Sequence, residues 1–348
     1  LTDSDKEASS GVKAVPETRP QSFAHAEMIT CDACLRANPP TRSNCLYCGA
    51  TLPVNENAAE SLSPDESGGE TKPPSTANSG FYLVLPPNQA NAPKGLFLEK
   101  ISEVLRLRPM DVQVALGLGG PVPLALAATP EHAAKLADEL QTLGITADVF
   151  RADTLNLNLP VKKVRALEFS DDGLGATILS GGSLSVNWGD LILMVLGRLM
   201  VNRLEVEERR RRGRSHPVDS RELFSDEPLV DLYTRSDEYG YRISAGSFDF
   251  SCLGTGKAIT GFENLAKLIE LLRTRAANVE VDDSYRSLRT VLTSIWPLEP
   301  QTRKGEWRRA GAGKVNVATV TSIDNEVQFN SYSRLRQYLK LRYPEGNK

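Results

Sequence analysis

Two Cys-x-x-C pairs stand close together near the start of the sequence, Cys31-Asp32-Ala33-Cys34 and Cys45-Leu46-Tyr47-Cys48, with Gly49 directly after the second. Two residues between the cysteines let both sulfurs of a pair reach one ion, and four thiolates match the tetrahedral, sulfur-preferring geometry of Zn2+. Gly49 permits the backbone turn that follows such a knuckle. Four thiolates make a closed, structural site with no open coordination position for a substrate. A redox dithiol pair or an iron site would use the same residues and stays open at this level. Little apolar sequence surrounds the cysteines, so the metal would supply most of the folding energy of residues 28–53. Of the 5 cysteines only Cys252 lies elsewhere, among strand-like residues, where a buried thiol acting as a small hydrophobe is expected.

Other stretches suggest chemistry and fail on spacing. Gly254-Thr255-Gly256-Lys257 invites a phosphate-loop reading, but that loop needs Gly where Ser251 stands and Ser or Thr where Ala258 stands. Gly311-Ala312-Gly313-Lys314 fails in the same way, with Arg308 and Val315. The histidines, His25, His132 and His216, are scattered, and Asp171 and Asp172 belong to a turn between Ser170 and Gly173. The expectation is therefore a protein without catalytic residues.

The full cysteine spacing, C-x2-C-x3-N-x6-C-x2-C with Asn38 at its centre, resembles the Ran-binding-protein type of zinc finger. It is equally similar to the short zinc ribbons at the start of many bacterial proteins, in which Pro39-Pro40 would be at home. The first resemblance implies binding of single-stranded RNA or ubiquitin. That finger carries a Trp where Ile29 stands here, and stacking on bases wants an aromatic platform, for which Tyr47 is the sole candidate.

Charge is unevenly spread. The 348 residues carry a net −3, yet residues 1–80 hold 6 Lys or Arg against 11 Asp or Glu, and residues 301–348 hold 10 against 4. In the basic tail Arg308, Arg309, Lys314, Arg334, Arg336, Lys340 and Arg342, interleaved with Trp307, Tyr332 and Tyr338, are candidate contacts for nucleic acid or another anionic partner. A helix packing one face onto the protein explains part of that tail equally well. The run Arg209–Arg212, with Arg214, could meet phosphate. Glu205, Glu207 and Glu208 stand at i,i+4 spacing to it, so a solvated, self-neutralised helix is the expected form. Residues 1–30 lack an apolar leader segment, and the most apolar run, Leu191–Val201, is interrupted by Arg198 and too short to span a bilayer of about 20 residues. A cytoplasmic protein without a membrane span is expected.

The elements that must carry these groups fall into six stretches: a disordered start (1–27), the zinc ribbon (28–53), a Ser/Glu/Pro/Gly-rich linker (54–80), and three folded regions (81–151, 160–297 and 298–348). Residues 81–151 read as strand, helix, helix, strand, helix, strand, and that order resembles the ribosomal stalk protein C-terminal domain and the Clp protease adaptor. Both work by binding other proteins, so the resemblance implies a docking module. Strands over 164–254 interrupted by a charged insertion (203–222), then an amphipathic helix with Phe262, Leu265, Ile269 and Leu272 inward, resemble a pleckstrin-homology-like domain. Such domains bind peptides, proteins or lipid head groups. The tail reads as a hairpin of 314–323 with 325–331, followed by a basic helix, 333–343. The fold class expected is multi-domain α+β. The function expected is a non-enzymatic adaptor of bacterial type that binds protein partners, with an RNA-binding protein as the alternative. No feature indicates the oligomeric state.

Overall fold

The computed structural model describes residues 29–31, 36–38, 45, 50, 52, 79–87, 96–211, 214–311 and 314–343, with the backbone alone at 30, 96, 207–211, 214–219, 304–311 and 314–318. The expected disordered start, and the linker up to residue 78, lie outside the described residues.

Two short strands, β1 (Ile29–Thr30) and β2 (Ala37–Asn38), pair antiparallel beside the first cysteine. Residues 81–151 then follow the order of their apolar runs: β3 (Phe81–Leu85), α1 (Leu96–Leu105), α2 (Pro109–Gly117), β4 (Val122–Ala127), α3 (Pro130–Thr142) and β5 (Asp148–Arg151). Local chemistry sets the ends. The Thr129 hydroxyl accepts from the His132 N–H at 3.2 Å and Pro130 takes the first helical position, where a missing N–H costs nothing. Gly144, at φ +82°, turns the chain out of α3. The three strands form one antiparallel sheet with β3 in the middle, in the order β4-β3-β5.

A larger sheet follows. Its strands are β6 (Lys162–Phe169), β7 (Gly173–Ile178), β8 (Ser183–Asn187), β9 (Leu191–Arg211), β10 (Arg214–Thr234), β11 (Tyr241–Ser244), β12 (Glu280–Asp282), β13 (Gln301–Gly311) and β14 (Lys314–Asp324). Helices α4 (Gly261–Arg275), α5 (Tyr285–Ile295) and α6 (Glu326–Arg342) intervene or follow. The strand order is β13-β14-β9-β10-β11-β6-β7-β8, with β12 parallel to the first half of β9. The chain is mixed α+β, and no described helix is long and apolar enough to cross a membrane.

Two expectations are corrected here. The stretch 203–222 is neither an insertion nor a helix: 203–211 and 214–222 are the outer halves of β9 and β10, each 21 residues long. The outer half of β9 is paired on both sides, by β10 and by β14, so its backbone groups are satisfied in ladders and the i,i+4 pairs never form. Glu205 instead faces Arg221 across the ladder and meets the Arg203 guanidinium at 2.9 Å. These outer strands, with β13 and β14, make a four-stranded arm. In the tail, 325–331 is not a strand. The hairpin is β13 with β14, and Asn325 ends β14 by bonding sideways: its carbonyl accepts from the Met200 N–H at 2.7 Å and its amide donates to the Arg198 carbonyl at 2.8 Å. From there Phe329, Tyr332, Leu335 and Leu339 recur at helical spacing, and all are fully buried.

The core lies on both faces of the large sheet. On one face α4 shares a core with β6, β7, β11 and the end of β10 (Val230, Leu232) through Leu265, Leu268 and Leu272. On the other, α5 and α6 lie between the large sheet and the 81–151 unit, so one cluster runs from Tyr82 and Leu124 through Leu288 and Leu292 to Leu193, Val195 and Tyr233. Packing is thus continuous across 151 and 297, where the sequence suggests boundaries. Gly197 on β9 makes the close approach of α6 possible: a Cβ there would stand 2.2 Å from the Phe329 ring.

Candidate functional site

A groove of about 570 Å³ opens where the α4 side of β9 meets α4 and the start of α5. The alternation of β9 places Leu196, Arg198 and Met200 on this side, and α4 adds Phe262, Leu265 and Ile269 at helical spacing. Asp283, Arg286 and Arg289 come from the start of α5 and the turn before it, with Tyr285 beneath them. The α4 end beside the groove is fixed by a capping box, in which Thr260 accepts from the Glu263 N–H at 3.2 Å and Glu263 reaches back to the Thr260 N–H at 3.4 Å.

The floor is apolar and the rim is charged. Arg198 lies along the wall in a two-pronged pair with Asp226, at 2.7 and 2.8 Å, with its guanidinium 5.8 Å from the Phe262 ring centre. Arg289 points its Nη1 at the Met200 sulfur, 3.4 Å away. The Tyr285 phenol accepts from Asn325 and donates to Gln328, both at 2.9 Å, and burial pushes its pKa up to about 12. Phe262 does not point into the core as its periodicity suggests. It is 57% exposed on the rim, and Ile259, just before α4, is 101% exposed. What this arrangement can do is bind a surface that offers apolar groups. Sequence reasoning placed Phe262 in the core and missed the site; the one available signal was Arg198, a charge inside an otherwise apolar run.

The basic helix is occupied inward. Arg336 pairs with Asp282 and Glu280, both at 2.7 Å, and donates to the Pro121 carbonyl at 2.8 Å; Lys340 pairs with Glu280 at 2.8 Å. Burial works against the Arg336 charge, but the carboxylates outweigh it and its pKa is raised. Arg334 donates to the Glu238 carbonyl and to Gln337. These three cations, expected to face an anionic partner, bind the helix to the protein's own carboxylates and carbonyls. Arg342 is exposed at the helix end. The side chains of Arg308, Arg309 and Lys314 lie outside the described residues. Deeper still, Arg242 and Asp231, both 0% exposed at the side chain, meet in a two-pronged pair at 2.7 and 2.8 Å. Ser333 of α6 donates to Asp231 at 2.8 Å, and Asn330 accepts from Arg242 at 2.7 Å.

Of the cysteines in the two Cys-x-x-Cys pairs, Cys34 and Cys48 lie outside the described residues, while Cys31 and Cys45 are buried with Leu52 in a small cluster of their own. The two halves have the same closure. The Cys31 N–H donates to the Arg36 carbonyl at 2.9 Å, and the Cys45 N–H to the Ala50 carbonyl at 2.7 Å, five residues on in each case. Asn38 donates to the Cys45 sulfur at 3.4 Å. Phe250–Gly256 is a 3-10 segment kinked at Gly254 (φ +53°) and not a phosphate loop; Cys252 lies in it, not on a strand, with its thiol half-buried and its pKa raised by burial. Compared with known proteins, the chain matches no family model, no curated protein and no solved structure.

Proposed function

We propose that this chain is a non-enzymatic adaptor that holds protein partners, one of them docked in the groove between α4, α5 and β9. The observation that carries the reading is Phe262, left in water on the rim of an apolar floor, with Ile259 exposed three residues before it in the chain. Large apolar groups beside a concave apolar floor are what a partner removes from solvent, and burying one such ring contributes about 1.5–3 kcal/mol.

The ribbon is the second contact. Cys31, Cys34, Cys45 and Cys48 would hold one structural Zn2+. The burial of Cys31 and Cys45 together, and the Asn38 amide aimed at sulfur, fit thiolate ligands, which gain from such donors. Tethering the ribbon to the body raises the effective concentration of the second contact once the first is made. Reduced thiolates suit a cytoplasmic setting.

The test is chemical cross-linking and capture with the tagged full-length chain, with nuclease present, using wild type and Phe262→Asp. The expected result is a protein partner in fixed stoichiometry that cross-links beside the groove and is lost in Phe262→Asp, at an unchanged unfolding midpoint. Equal recovery by the variant, or recovery that collapses with nuclease, overturns the reading.

A further inference from the structure

The two hairpins of the arm end at the same place. β9 turns back as β10 after Arg211, β13 turns back as β14 after Gly311, and the pairing of Glu208 with Val317 sets the two ends side by side. Residues about 100 positions apart in sequence are thereby gathered on one sheet end. From 209 to 217 and from 308 to 315 the sequence holds eight Lys or Arg and no Asp or Glu.

Register sorts these residues by face. Arg209 is opposite His216 and Arg211 is opposite Arg214; Arg308 is opposite Asn316 and Lys314 is opposite Gly311. Glu207 is opposite Ala318, which joins the two hairpins in one alternation. With a period of two, Arg209, Arg211, Arg214, Arg308 and Lys314 all fall on the same face. Arg210 and Arg309 fall on the other. Strands about 4.8 Å apart make this face about 14 Å wide, at the end of an arm that runs about 35 Å beyond Val201.

We infer that this face of the arm tip binds the phosphate backbone of a nucleic acid. Like charges directly opposite one another, as Arg211 and Arg214 are, destabilise a ladder, and an anion across them relieves that repulsion. Seven of the eight cations are arginine, whose planar fork matches phosphate oxygens. An anionic lipid surface is the competing target, and docking there gains strength from inserted apolar side chains. Neither stretch contains Leu, Ile, Met, Phe, Tyr or Trp, and Trp307, directly before the second, is opposite Val317 and falls on the other face. The absence of such side chains favours nucleic acid. The partner is recognised by charge spacing and not by sequence, since phosphate contacts carry no base information.

The test is fluorescence anisotropy with the full chain, using a random-sequence DNA duplex and a single-stranded RNA of equal length as probes. The wild type is compared with Arg211→Gln/Arg214→Gln and with Arg308→Gln/Lys314→Gln. Five phosphate contacts give a log–log salt slope of about −3.5 to −4.5, so affinity falls roughly 100- to 500-fold between about 50 and 200 mM salt. Each double variant is expected to bind about tenfold or more weakly at intermediate salt and to flatten the slope by nearly two. Phe262→Asp is expected to bind as wild type does. Salt-independent binding, no binding, or double variants that match wild type overturn the proposal. So does recovery on phosphatidylserine-rich vesicles with no binding to either nucleic acid.

Discussion

The Trp296 indole N–H donates to the Tyr82 phenol at 3.0 Å across 214 positions of sequence, and their ring centres lie 5.7 Å apart. Tyr82 is on the central strand of the small sheet, and Trp296 closes α5. Trp296→Phe removes the donor and leaves a void, with an expected loss of about 1–3 kcal/mol in urea unfolding. A single cooperative transition is expected for residues 81–343. Two separate transitions in wild type would show that the small sheet folds on its own.

The Asp231–Arg242 pair sets a second expectation. Removing one partner strands a buried charge, so Asp231→Asn is expected to cost about 3–5 kcal/mol. The double variant Asp231→Leu/Arg242→Met is expected to lose less than the two single changes summed, as a double-mutant cycle reads it. Additive losses would mean that the pair is not coupled.

Gly197→Ala tests how α6 sits. The added methyl collides with the Phe329 ring, with an expected cost of about 1–3 kcal/mol. Phe329→Leu is expected to recover part of that loss. A neutral Gly197→Ala would mean that α6 can retreat from β9 freely.

Buried tyrosines give the chain an alkaline limit. Burial raises Tyr82 and Tyr285 to about 12, and raises Tyr233 and Tyr332 further. The native state keeps these phenols neutral, while the unfolded chain releases their protons above about pH 10. Stability is therefore whole below that pH and falls above it, by about 1.4 kcal/mol per pH unit for each tyrosine, ending near pH 12 for the first two. Phenolate absorbance and far-UV circular dichroism should change together. Gradual ionisation of all tyrosines with the dichroism intact would contradict this.

Metal removal should act on the ribbon alone. Its small cluster is separate from the two large ones, so a chelator is expected to release one zinc per chain and leave the unfolding midpoint of the body unchanged. Elemental analysis that finds no zinc, or a body that unfolds with the chelator, would count against the four-cysteine site.

Residues 81–151 were legible because their chemistry is local: Thr129-Pro130 starts a helix and Gly144 stops it, whatever lies beyond. The arm was not. Glu205–Arg212 carries helix-like charge spacing in the sequence, and pairing with β10 on one side and with β14, about 110 positions later, on the other makes Glu205–Arg211 a strand. α6 was half legible. Its apolar positions are right, but Val327, Phe329 and Ser331 also alternate, and much of its buried surface is polar. Gln328, Ser333, Arg334, Arg336 and Gln337 are all buried. Hydrophobic periodicity registers burial only when it is apolar, so a helix held by carboxylates and carbonyls reads as a solvated one. The groove was hidden for the opposite reason, since Phe262 keeps helical register with the core yet stands outside it.

The place of α6 in the order of synthesis has a consequence for how the protein is made. Asp231 and Ser333 are 102 positions apart. A ribosome adding about 5–20 residues per second finishes β10 roughly 5–20 s before α6 is available, whereas even a stretch of about 100 residues collapses within about 100 μs. During that interval the face of β9 and β10 that α6 covers is bare, and a chaperone or the α6 of a neighbouring nascent chain can reach it. Closure of the fold thus keeps time with translation.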